Sequence, residues 1–263
     1  MVKPKLHTRT LKGTHVKYYL YIPPKIKADL RIFITVHGWS RNALEHANGY
    51  LPFAATYGVV MVAPLFENDE FPQFQRLGHS ARKGRADHTF DSIISEVSSE
   101  TGAMGDRLYL FGFSGGGQFV HRYTMAYSNR VARVVLGAPG WYTFPDPTQP
   151  FPMGIGPGKR LPDIHPDPHR FLKVPTKIMI GELDIRRDHH LNTSRIIDRA
   201  QGTNRMERAT RWVQAMNAAA RGCNFRTRYK IDVLPNSEHS FTSCMENGGM
   251  GEKVFRFLFG KRP

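Results

Sequence analysis

The chain has 263 residues, 40% of them hydrophobic and 22% charged, with 24 glycines, 18 prolines and two cysteines. That composition excludes a disordered chain and a disulfide framework, and no apolar run reaches the roughly 18 residues needed to cross a bilayer. Lys and Arg number 37 against 22 Asp and Glu, a formal net charge of +15; residues 159–230 hold 16 basic and 7 acidic side chains, so this stretch supplies +9 of the excess.

Such a field attracts anions. No zinc finger, RRM signature or basic heptad helix accompanies it, so the expectation is a cationic solubility surface with salt-sensitive, non-specific binding to polyanions and no specific nucleic-acid partner. The N-terminal stretch MVKPKLHTRTLKGTHVKYYLYIPP carries no apolar signal core, and the chain as given reads as cytoplasmic. Its length favours one domain over 1–263.

Elements follow from periodicity. VKYYLYI (16–22) and RIFITVH (31–37) are rich in β-branched and aromatic residues and read as strands, with Pro23, Pro24 and the polar KIKAD as their connection. A helix is expected over 43–57, then a buried strand, GVVMVAP (58–64). Phe90, Ile93, Ile94 and Val97 recur at helical spacing within 87–101, and Gly102 is placed to stop that helix. DRLYLFG (106–112), a helix through about 129, VARVVLG (131–137), TKIMIGE (176–182), a helix over about 203–221, FRTRYKIDVL (225–234) and a last helix near 251–259 complete the series. Cys223 and Cys244 are expected as free thiols at opposite ends of one strand.

Strands and helices alternate from residue 31 onward. That order predicts an α/β fold with a doubly wound, mostly parallel sheet, helices on both faces and an antiparallel element from the N-terminus. Ligands bind such sheets beyond the carboxyl ends of the strands. Residues 65–86 and the segment 144–175, which carries nine prolines, interrupt the alternation. Neither can be regular helix through its middle, and both leave a strand's carboxyl end, where a lid or substrate loop belongs.

The strongest local signal is Gly112-Phe113-Ser114-Gly115-Gly116, between a strand and a helix. A G-x-S-x-G run in that context makes a sharp turn that presents a serine hydroxyl above the sheet. A serine needs a base to take its proton and an acid to orient the base. His239, delivered by the short turn PNSE after IDVL, is the expected base. Asp184, leaving the strand KIMI in GELD, is the expected acid, with Asp188 in reserve. Gly115 and Trp39 are the expected backbone donors to an oxyanion, Trp39 from the turn His37-Gly38-Trp39-Ser40, where His37 is read as structural. Trp141, Tyr142 and Phe66 follow predicted strands at the same edge and are candidates to wall an acyl pocket.

His165-Pro-Asp-Pro-His169 and Asp188-His189-His190 have the density of imidazoles that could suggest a metal site. Prolines deny the first its helix, and adjacent side chains in the second point apart, so neither is expected.

The HGWS turn, the GFSGGG elbow, GELD and the EHSF histidine, in the order Ser, Asp, His, resemble the α/β-hydrolase superfamily across roughly residues 30–260. Within it the chain is most similar to the polyhydroxybutyrate-depolymerase-like and feruloyl-esterase-like serine esterases. The resemblance implies hydrolysis of a small-molecule or polymeric carboxylic ester through an acyl-enzyme, with no cofactor. The alternatives are a serine peptidase or acyltransferase on the same fold, or a non-catalytic polyanion-binding protein.

Overall fold

Two runs buried along their whole length, IFITV at β3 (Ile32–Val36) and VMVAP at β4 (Val60–Pro64), have the continuous apolar character of strands covered on both faces. In the computed structural model, which describes residues 3–25, 29–79, 84–188 and 190–261, they lie near the middle of an eight-stranded sheet. The other strands are β1 (His7–Thr10), β2 (Lys17–Tyr21), β5 (Leu108–Phe113), β6 (Val131–Gly137), β7 (Thr176–Gly181) and β8 (Lys230–Leu234), and the spatial order is β1-β2-β4-β3-β5-β6-β7-β8. Pairings β1–β2 and β2–β4 are antiparallel; the remainder are parallel. From β3 the chain moves to one side through β4 and to the other through β5. The strand order therefore reverses between β3 and β5, and a crevice opens beyond their carboxyl ends.

Helices cover both faces and divide the core in two. On one side α2 (Ala86–Thr101), α3 (Gly115–Ala126) and α6 (Arg205–Gly222) contribute Val97, Phe119, Trp212 and Met216 to the larger cluster. On the other, α1 (Ala43–Tyr57) and α8 (Met250–Phe259) pack Tyr50, Ala54, Val254 and Phe255 against Phe33 and Phe111. Helix α2 ends on Gly102 in the left-handed region, φ 71°, as its position predicts.

Shorter elements escaped the periodicity. These are β1, the one-turn α4 (Pro168–Phe171), α5 (Arg195–Gln201) and α7 (Phe241–Glu246). Each is too short for a repeat to declare itself. The proline-rich segment 144–175 has α4 near its end and otherwise runs irregularly, yet it is not loosely held: Phe151, Leu161 and Ile164 join the larger core cluster. Of the stretch 65–86, residues 80–83 lie outside the described part. Cys223 caps α6 and Cys244 sits in α7, so the two free thiols flank β8 from neighbouring helices instead of standing at its ends.

Phe33 anchors the smaller core, its ring edge-on to Tyr50 (5.1 Å) and Phe255 (4.7 Å). Phe33→Ala is expected to lower unfolding free energy by about 3–5 kcal/mol in urea titration; a loss under about 1 kcal/mol would contradict this packing.

Candidate active site

Ser114 ends β5 and caps α3 with φ 53° and ψ −112°, a conformation that costs a non-glycine residue of order 1–3 kcal/mol and persists only where surroundings impose it. The Ser114 amide donates to the Gly137 carbonyl at 2.7 Å, which ties the turn to β6. Close packing requires glycine at 116: a Cβ there would stand 2.0 Å from the Val36 carbonyl oxygen. Helix α3 is thus pressed against the end of β3, and the turn between β3 and α1 comes beside the serine.

That turn is fixed by His37, which is fully buried. Its Nε2 accepts from the Phe66 amide at 2.9 Å, leaving Nδ1–H to donate to the Gly38 carbonyl at 2.8 Å. Burial drives its pKa down to about 4, and the nearby Arg41 charge pushes the same way. A neutral, doubly bonded ring is a brace, as the sequence implied. The Trp39 amide nitrogen lies 3.5 Å from where a Gly115 side chain would begin. Among the described residues neither the Trp39 nor the Gly115 amide has a hydrogen-bond acceptor, so both donors stand open beside Ser114 Oγ.

Asp184 and His239 arrive on two interlocked loops. After β7, Leu183 N–H donates to the Ser237 carbonyl (2.9 Å) and Glu182 N–H to the Leu234 carbonyl at the end of β8 (2.8 Å). Asp184 Oδ2 accepts from His239 Nδ1 at 2.6 Å, so Nε2 carries the lone pair that faces Ser114 Oγ at 3.0 Å. Asp184 is 3% exposed and Ser114 9%, while Phe113 stacks on the imidazole with centroids 5.2 Å apart. The three expected side chains are therefore brought together in one hydrogen-bonded line. His121, on α3, is braced like His37: it bonds the Gly117 carbonyl and the Thr143 amide, and burial drives its pKa well down.

Asp188 does not reach the histidine. It is held by Arg205, whose guanidinium bonds both Asp188 oxygens (2.6 and 3.1 Å) and also Asp184 Oδ1 (3.0 Å). Burial works against the Asp188 charge, but the hydrogen bonds and charge of Arg205 outweigh it and lower its pKa to about 2. Arg205 is fully buried, and it is the residue that sequence reasoning missed. A signal existed. Arg205, Arg208, Trp212 and Met216 recur on one face of α6, so two arginines occupy core-facing positions of an amphipathic helix.

A cavity of about 250 Å³ is lined by Ser114, His239, Phe113 and Phe241, and a neighbouring one of about 550 Å³ by Arg76, Gln118 and Trp141; Trp39, Ser40 and His190 border both. Of the three residues expected to wall a pocket, Trp141 lines the larger cavity. Phe66 and Tyr142 do not. Phe66 is fully buried in a stack with Phe74, and Tyr142 lies against Trp212, because the chain turns inward after each strand and gives these rings to the core. His189 lies outside the described residues.

With Arg205→Met, the buried Asp184 loses its guanidinium, and stability is expected to fall by about 3 kcal/mol or more at pH 7. Asp188, which the same guanidinium holds at a folded pKa of about 2, contributes stability above its unfolded value near 4, and that contribution vanishes as pH falls toward 2. The wild-type advantage should accordingly be full above about pH 5 and shrink between pH 4 and 2 in denaturation series. A pH-independent gap would contradict the ion-pair assignment.

No protein-family model matches the chain, and no curated protein matches it. Solved structures do. Poly(aspartic acid) hydrolase-1 from Sphingomonas sp. KT-1 superposes with a TM-score of 0.80 at 26% identity, covering 98% of this chain and 100% of that one. The poly(3-hydroxybutyrate) depolymerase LpqC from Bordetella parapertussis gives 0.76 at 22% identity, over 100% and 92%. An S-formylglutathione hydrolase from Agrobacterium tumefaciens gives 0.61 at 14% identity, over 96% and 94%.

Proposed function

From the α/β-hydrolase fold of this chain, we propose a serine hydrolase that cleaves a carboxylic ester through an acyl-enzyme. The observation that carries the reading is the line Ser114–His239–Asp184, with spacings of 3.0 and 2.6 Å, ending beside two unpaired amides. In this reading Ser114 Oγ attacks the acyl carbon as His239 Nε2 takes the hydroxyl proton. The amides of Trp39 and Gly115 hold the oxyanion at the positive end of α3. Collapse breaks the bond to the alcohol oxygen, which leaves with the proton from His239. Water then attacks the acyl carbon in the same way, releasing the acid and restoring the serine. Asp184 holds the imidazole tautomer, and Arg205 holds Asp184.

The test is turnover of p-nitrophenyl butyrate together with labelling by a fluorophosphonate. Labelling is expected at Ser114, and Ser114→Ala should lower kcat by on the order of 10⁶. Wild-type turnover in that variant would end the proposal. The likeness to a poly(aspartic acid) hydrolase favours a second reading, amide cleavage by the same residues, which a p-nitroanilide of the same acyl group separates from ester cleavage. The charge of +15 favours a third, a polyanion-binding protein. Salt-sensitive retention on heparin with no labelling at Ser114 would support that one.

A further inference from the structure

The larger cavity contains cations without counter-ions. Arg76 lines it, has its guanidinium 5.3 Å from the Trp141 ring centroid, and makes no salt bridge among the described residues. Its Nε is buried with no hydrogen-bond partner. Arg122 lies beneath the same indole, 4.0 Å from its centroid and fully buried. It bonds the Gln75 carbonyl, Gln118 Oε1 and Thr143 Oγ1, all neutral, while its Nη2 has no partner. Gln75 also lines the cavity, is 5% exposed, and its Oε1 is unpartnered as well.

Buried polar atoms are nearly always satisfied, and an unpaired buried guanidinium is costly. Gln75 and Arg76 line this cavity, Arg122 lies behind the Trp141 ring that walls it, and among the described residues no carboxylate is in its wall. Burial depresses the pKa of both arginines, Arg76 also facing the charge of Arg160 and Arg122 that of Arg76. An anion entering the cavity would supply the counter-charge that Arg76 lacks. The cavity's place identifies which half of a substrate it receives. Ser114 and His239 both line the smaller cavity, and the larger begins beyond Trp39 and Ser40; the leaving group has to stay beside His239 to receive its proton, so the acyl chain is the half directed into the larger space.

We propose that the cavity between Trp141 and Gln75 is a carboxylate subsite, and that the acyl half of the substrate ends in a carboxylate received by Arg76. A guanidinium suits a carboxylate because two N–H groups meet its two oxygens. Arg122 supplies positive potential from behind the Trp141 ring. The proposal rests on the serine-hydrolase reading of Ser114.

The experiment compares mono-p-nitrophenyl adipate with p-nitrophenyl hexanoate, two six-carbon acyl groups that differ by the terminal carboxylate. Measurements at ~0.5 M NaCl screen the long-range field of the whole protein but not a contact pair. The adipate ester is expected to show a kcat/KM at least about tenfold higher, and Arg76→Gln to remove most of that ratio, with Arg76→Lys restoring part of it. In the wild type, adipate dianion should compete with p-nitrophenyl hexanoate whereas 1,6-hexanediol at equal concentration should not; this measurement stands even if the variants fail to fold. Equal kcat/KM for the two esters would overturn the subsite and leave the hydrolase reading intact. A preference that survives Arg76→Gln would overturn the role of Arg76. Failure of both esters, with no fluorophosphonate labelling of Ser114, would overturn the hydrolase reading and the subsite with it.

Discussion

The strained turn at Ser114 depends on how closely α3 can approach the end of β3. With φ at 53°, the serine occupies a region that side chains avoid, and local sequence alone would relax it. What prevents relaxation is contact on two sides: the Gly137 carbonyl takes its amide, and the bare Cα of Gly116 lies against the Val36 carbonyl. The same contact sets the Trp39 amide next to that of Gly115. The strain at Ser114 and the two open amides beside it are consequences of one packing event at the point where the strand order reverses.

Most of this was legible in the sequence because the relevant signals are local and strong. The twelve expected segments were apolar runs or amphipathic stretches long enough to show a period, and β3, β4 and α2 fell within a residue or two of the expected bounds. Ser114 was legible from the glycines that its turn needs, and Asp184 and His239 from their position after strands whose carboxyl ends share an edge. Side-chain direction was not legible. Phe66 and Trp141 both follow strands, yet one enters an aromatic stack and the other a cavity, and that choice is made by partners on other elements, Phe119 for the first and Arg122 for the second. Arg205 was overlooked for a related reason: a basic residue on a helix suggests solvent, and only its phase with Trp212 shows otherwise.

The charge of the chain consequently divides into two populations. Arg122, Arg205 and Arg208 are fully buried, each held by carbonyls, amides or carboxylates, and they organise the interior around the site. Arg186, Arg199 and Arg226 are among those facing water. The expectation of a solvated cationic surface fits the second group and not the first. A buried guanidinium spans distances that a carbonyl cannot, so Arg208 alone joins α6 to the Gly140 and Asn192 carbonyls and to Asp198.

The interlocked loops after β7 and β8 give the molecule a particular way of failing. Strand β8 is the last in the sheet, paired on one side only, and four of its five residues are exposed or half-buried. Peripheral strands open more readily than central ones, through fluctuations far smaller than global denaturation. Should β8 detach, Glu182 and Leu183 lose their acceptors at Leu234 and Ser237, and the His239 imidazole leaves both Ser114 and Asp184, which stay behind with β5 and β7. Warming would then break the line of three side chains while the core remained folded.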